Sequence, residues 1–145
     1  MIHVAPVQEI KIELTSAFSM NMSPPDMSQF VYSGQLYFVN GAWYIKYVEQ
    51  EEDGQTYTTL KVKEDEIMVI RNGLVTMRHS YRPGIRTSGS YAGPGGMMWM
   101  DTATKEMQVC YDEEGDLSAV VWTYDLYLNE QKVGRYRISC RLMRI

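Results

Sequence analysis

The chain has 145 residues, 45% of them apolar and 22% charged, with a net charge of −4 and a pI near 5.2. That length buries one sizeable core, so residues 1–145 read as a single domain. The basic residues are dispersed instead of gathered into a stripe, which argues against nucleic acid as a partner. No apolar stretch approaches the roughly 18 residues of a membrane helix, so no membrane partner is expected.

The amino-terminal run "MIHVAPVQEIKIEL" lacks the basic start and apolar core of a signal peptide. Two cysteines are too few for a disulfide framework, and a reducing cytoplasm is the expected location. Eleven tyrosines against three Phe and three Trp suit strands that are packed on one side and wet on the other.

The dominant period along the chain is two. "VQEIKIEL" puts Ile10, Ile12 and Leu14 on one face and Glu9, Lys11 and Glu13 on the other, a half-buried strand. "NMSPPDMSQF" follows as a Pro/Ser-rich connection with room for one short helical turn starting near Pro25.

From Val31 the pattern is of consecutive hairpins. Asn40-Gly41 predicts a two-residue turn, since both central positions of a type I′ turn need positive φ. The register then pairs Val39 with Ala42, Phe38 with Trp43 and Leu36 with Ile45, apolar with apolar. Further turns are expected at Asp53-Gly54, at Lys63 to Asp65 and at Asn72-Gly73. A two-residue turn at Asn72-Gly73 would pair Ile70 with Val75 and Met68 with Met77.

"SYAGPGGMMWMD" is the most motif-like segment. A phosphate-cradling loop needs a strand before it, a helix after it and usually a lysine. Here the following "MMWMDTAT" is strand-like, no lysine precedes Lys105, and Pro94 removes a backbone donor. It reads as a glycine-rich corner between strands at a barrel end.

The last third continues the meander. "KEMQVCYD" turns at "EEGD" into "LSAVVWTYDLYL", which turns at "NEQK" into "VGRYRISCRLMRI". Pairing Asp112 with Leu117 sets Val109 against Val120, Met107 against Trp122 and Cys110 against Ala119. Matching Trp122, Tyr124 and Leu126 to Tyr136, Ile138 and Cys140 requires a bulge or odd loop around Asn129 to Gln131. Cys140 then shares a face with Trp122 while Cys110 points the other way, which forbids a disulfide between them. The expected fold is all-β, an antiparallel up-and-down barrel of about ten strands with little helix, a closure that removes exposed sheet edges.

Particular segments resemble the YwiB-like family of small bacterial proteins. They are "GAWYIKYVEQEEDG" with "LKV", "VIRNGLVTM", and the loop Tyr91 to Gly96 running into "WMDTAT", within a similarity from about Leu36 to the carboxyl terminus. The resemblance implies a calycin-like, lipocalin-related barrel without an assigned activity, and it carries no catalytic residues. The chain departs from it at Ala92-Gly93-Pro94-Gly95-Gly96, where a bulkier Thr-Pro-Tyr-Gly type of loop is expected, so no role of an aromatic at that spot transfers.

Chemistry-bearing constellations are sparse. His3 and His79 lie far apart in sequence, and no zinc-type spacing of Cys, His and carboxylates occurs, so neither a metal nor a cofactor is expected. His79 is expected opposite Glu66, in an ordinary ion pair or hydrogen bond at a strand end. Glu49, Glu51, Glu52 and Asp53 read as a solvated hairpin tip, as do Glu113, Glu114 and Asp116.

The barrel interior is the feature with functional promise: barrels of this size either hold one small ligand or fill with side chains, and the apolar residues read first as simple core. Phe38, Trp43, Ile45, Tyr47, Met68, Met77, Trp99 and Trp122 are the expected inward residues, with Arg71, His79, Arg86 and Tyr91 as polar contacts at one rim. Trp43, Tyr47, Arg71, His79, Arg86, Tyr91, Trp99 and Trp122 are thus the candidate ligand contacts. Three functions follow in order of expectation. The first is a module binding a small apolar or amphipathic molecule. The second is a structural or interaction module whose outer Tyr37, Tyr44 and Tyr57 dock a partner or a second copy in a homodimer. An enzyme comes last, and no catalytic residue is named.

Overall fold

The computed structural model describes residues 6–21 and 23–145, so His3 lies outside the described residues. Ten strands follow one another: β1 (Gln8–Ser19), β2 (Asp26–Val39), β3 (Ala42–Glu51), β4 (Gly54–Lys63), β5 (Glu66–Gly73), β6 (Thr76–Tyr81), β7 (Arg86–Gly93), β8 (Gly96–Tyr111), β9 (Leu117–Leu128) and β10 (Gln131–Arg144). Each pairs antiparallel with the next, and β10 returns to β1 from Ile10↔Arg144 to Ser19↔Arg135. The sheet therefore closes on itself. Among the described residues there is no helix, and the turn expected near Pro25 is irregular chain leading directly into β2.

Alternation decides what fills the barrel. At one end Ile10, Ile12, Leu36, Ile45, Val62, Ile67 and Val120 are all 0–1% exposed and plug the interior. This is the end where β2–β3, β4–β5, β6–β7 and β8–β9 connect. Arg144, on β10, reaches across it to the carboxylates of Asp112, Glu114 and Asp116. Being half exposed, this cluster contributes little energy but ties the last strand to the β8–β9 connection.

The first hairpin has the expected register, with Asn40 at φ 50° and Gly41 at φ 80°. The hairpin at Asn72-Gly73 does not. The register observed between β5 and β6 sets Ile70 against Arg78 and Arg71 against Met77, three residues later than a two-residue turn would. The reason is a longer loop that docks on its neighbour: Leu74 N–H donates to the Gln55 carbonyl at 3.1 Å. An odd shift exchanges the faces, so Met68 points outward and Arg71 inward.

Two bulges adjust the carboxyl-terminal strands, one at Lys105 and one at Val133. Asn129 and Glu130, at φ 49° and 69°, form the tight β9–β10 turn, so the irregularity expected around Asn129 to Gln131 falls slightly later. Asp125 lies between the bulges, buried on the outer face, and accepts two bonds from Arg135 (2.7 and 3.2 Å). Val109↔Val120, Met107↔Trp122 and Cys110↔Ala119 pair as expected, but Tyr111, not Asp112, opposes Leu117 across a local irregularity. Cys140 lies beside Val120 in the interior and Cys110 on the other face; both thiols are free. Burial pushes the Cys140 thiol up to about 12.

Candidate functional site

Toward the other end the packing changes. Residues of all ten strands except β2 line a cavity of about 440 Å³ in this half of the barrel. Its wall is mostly apolar, with Leu14, Leu60, Val69, Met77, Met100 and Leu126 among its members, and it carries the aromatic rings of Tyr47, Tyr81, Tyr91, Trp122, Tyr124 and Tyr136. Tyr81 and Tyr124 are 4.7 Å apart between centroids, and Tyr124 and Tyr136 stack at 5.6 Å. Burial, the first cause in each case, keeps these hydroxyls neutral, raising Tyr81 to about 12 and Tyr124 well above its ordinary value.

One register row carries the polar part of the wall. It runs Tyr47↔Thr58↔Arg71↔Met77↔Tyr91↔Met98 across β3 to β8. Glu49, two residues beyond Tyr47 on the same face of β3, closes a compact cluster. Arg71 Nε and Nη2 donate to the Glu49 carboxylate at 2.9–3.1 Å, and Thr58 Oγ1 donates to Glu49 Oε2 at 2.6 Å. The two side chains are 22% and 18% exposed, so this bidentate pair is largely withdrawn from water. Glu49 also raises the Tyr47 and Tyr32 hydroxyls, in each case after the larger effect of burial.

The eight candidate contacts separate accordingly. Tyr47, Arg71, Tyr91 and Trp122 line the cavity. Trp43 does not: it faces inward at the plugged end, against Phe38, which is itself 37% exposed. Trp99 points outward and is 62% exposed. Arg86 is also outside, paired with Asp101 at 3.2 Å and lying over the Tyr127 ring. Glu49 and Thr58 are additions. Glu49 belongs to the inward alternation Ile45, Tyr47, Glu49, and that pattern, carried one step further into the acidic run, is the signal that finds it.

His79 is neither at a rim nor opposite Glu66. It pairs with Val69, is 1% exposed, and its Nε2 lies 2.6 Å from Thr102 Oγ1. Thr87 Oγ1 donates to the Ser80 carbonyl at 2.5 Å and lies 3.2 Å from Thr102 Oγ1. Thr87, Thr102 and His79 Nε2 thus form one buried hydrogen-bonded chain. Nδ1 is buried without a partner among the described residues, and a Cβ at Gly89 would come within 2.4 Å of it. The missing side chain at Gly89 is what admits the ring. Burial lowers the imidazole to about 4, so His79 is a neutral wall element.

The glycine-rich segment is the β7–β8 hairpin. Gly93 pairs with Gly96 across Pro94-Gly95, and β8 follows with no helix. Among the described residues, no group of three or more His, Cys, Asp or Glu could hold a metal ion.

These features define a closed, ten-stranded antiparallel β-barrel with one plugged half and one hollow half. The chain belongs to the family described as a domain of unknown function, DUF1934, which matches residues 10–140. It is 28% identical over 107 residues to the "Uncharacterized beta-barrel protein YwiB" of Bacillus subtilis (strain 168), covering 74% of each chain. The crystal structure of the ywiB protein from Bacillus subtilis matches it with a TM-score of 0.75, over 95% of this chain and 94% of that one, at 22% identity. The family resemblance carried by the hairpin motifs and the barrel fold it implied both hold.

Proposed function

We propose that this protein is a calycin-like binding module, not an enzyme, that holds one small apolar or amphipathic molecule in the hollow half of its barrel. The observation that carries the reading is the cavity of about 440 Å³, apolar over most of its wall and marked by the Glu49–Arg71 ion pair. Small-molecule sites have this character, a concave apolar surface with few fixed polar groups. The nearby groups with catalytic potential support binding over chemistry: Cys140 is held as a thiol, and the neutral His79 ring is buried with its Nε2 engaged by Thr102. A cytoplasmic setting belongs to the same proposal and is supported by two unbridged cysteines.

Native mass spectrometry of protein purified from its own host is the direct test, joined to a titration with the neutral dye N-phenyl-1-naphthylamine. The expected outcome is a noncovalent small organic mass, lost on denaturation, and saturable dye binding at one site per barrel. Ligand-free protein that also fails to bind the dye sinks the reading. A second reading, a docking surface on the outside of the barrel, is favoured by Met97 and Trp99, both outward on β8 and 63% and 62% exposed. Of the outer tyrosines, Tyr57 is 57% exposed, whereas Tyr37 and Tyr44 stack on each other at 5.1 Å with Lys46 and Lys61 over their rings.

A further inference from the structure

We infer that the cavity selects uncharged ligands that carry a hydrogen-bond acceptor and rejects both carboxylates and amines. This rests on the binding reading above and concerns the class of molecule bound.

Among the described residues, Glu49 and Arg71 are the only charged ones lining the cavity, and each already answers the other. A ligand carboxylate aimed at Arg71 would place a second anion on a guanidinium whose Nε and Nη2 are committed to Glu49. Two carboxylates sharing one partly desolvated site repel, and one is driven to take a proton. An ammonium aimed at Glu49 meets the Arg71 charge in the same way. Glu49 is thus a repulsive element against acids, and Arg71 against amines.

What the pair leaves available is donation. The bidentate geometry uses Nε and Nη2, so the Nη1 hydrogens of Arg71 remain for a neutral acceptor. A second donor points the same way. The Trp122 indole N–H belongs to a cavity-lining side chain only 3% exposed, and it has no partner among the described residues. A buried, unsatisfied donor is costly, and a ligand carbonyl relieves that cost. The volume has room for about fifteen water-sized groups, which sets the scale at roughly ten to twenty non-hydrogen atoms. The ligand class is therefore a compact apolar ketone, ester, amide or similar uncharged acceptor.

The test is a displacement series against bound N-phenyl-1-naphthylamine at neutral pH, using four ten-carbon probes: decanamide, decan-2-one, decanoate and decylamine. Decanamide and decan-2-one are expected to displace the dye about tenfold or more better than either charged probe. Glu49→Gln leaves Arg71 with an uncompensated charge and should bring decanoate up to or past decanamide. Arg71→Gln should favour decylamine in turn. Decanoate competing as well as decanamide on the native protein overturns the inference, as does dye release by none of the four, or an unchanged ranking in a folded Glu49→Gln variant. If that variant loses the β-barrel signature in circular dichroism, the ranking on the native protein decides alone. Failure of the dye itself to bind, by contrast, removes the binding reading on which this one stands.

Discussion

His79 Nδ1 lies against Gly89 with no partner among the described residues, so a doubly protonated ring leaves that N–H unsatisfied. The native state holds this imidazole at about 4, against 6.5 for the unperturbed group, with burial as the leading cause. A base whose folded-state value is depressed resists a proton that the unfolded chain accepts. Its neutral-state stability is therefore complete above pH 6.5 and is lost as the pH falls from there toward 4, by about 3 kcal/mol in all. Urea midpoints measured across that window should fall more steeply for the native protein than for His79→Gln, with ordinary carboxylate effects common to both. Parallel slopes would show that His79 is charged or solvated in the fold.

The single-residue errors of sequence reading share a cause. "MMWM" is apolar at every position, so alternation cannot say that Met98 and Met100 face in while Trp99 faces out. Glu49 fails for the opposite reason: its charge places it in a solvated tip, and only its partner Arg71, two strands away, makes an inward carboxylate tolerable.

At the level of elements, a turn dipeptide marks where the chain reverses and leaves the loop length open. Asn40-Gly41 makes the two-residue turn in open space on its Gly41 side, where an added Cβ would meet no atom within 4 Å. Gly73 is held at φ 144° with its missing Cβ only 2.0 Å from the Gln55 carbonyl oxygen, in a loop drawn onto β4 by Leu74. Gly41→Ala should cost about 1 kcal/mol from positive φ alone. Gly73→Ala adds a backbone clash and should cost about 3 kcal/mol or more. Thermal or urea unfolding gives the comparison, and equal losses would contradict the docked loop. Strand count, strand order and most of the C-terminal register were legible because they depend on period and local turns. The Arg71 row was not, because its register is set by a tertiary contact between the β5–β6 loop and β4.

For the whole molecule, closure is the property that matters most. The start of β1 and the last residue meet at the plugged end, where Ile145 N–H donates to the Glu9 carbonyl at 3.5 Å, well away from the cavity. A circular permutant that begins at Gly41, ends at Asn40 and joins Ile145 to Pro6 through a short Gly/Ser linker should keep both barrel and dye binding. Loss of the β signature, or aggregation, would mean that the Asn40-Gly41 hairpin must form intact before the rest of the sheet assembles.

The β1–β10 seam also sets a schedule for synthesis. Nine of the ten strand pairings join sequence neighbours and can form as the nascent chain emerges, but the tenth waits for the last strand. At ribosomal rates of about 5–20 residues per second, β1 stands with one bare edge for on the order of ten seconds. That edge bears Glu9, Lys11 and Glu13, alternating in sign on its solvent side. The same charges that lie on the finished surface thus guard an unfinished sheet against pairing with a neighbouring nascent chain until its own final strand arrives.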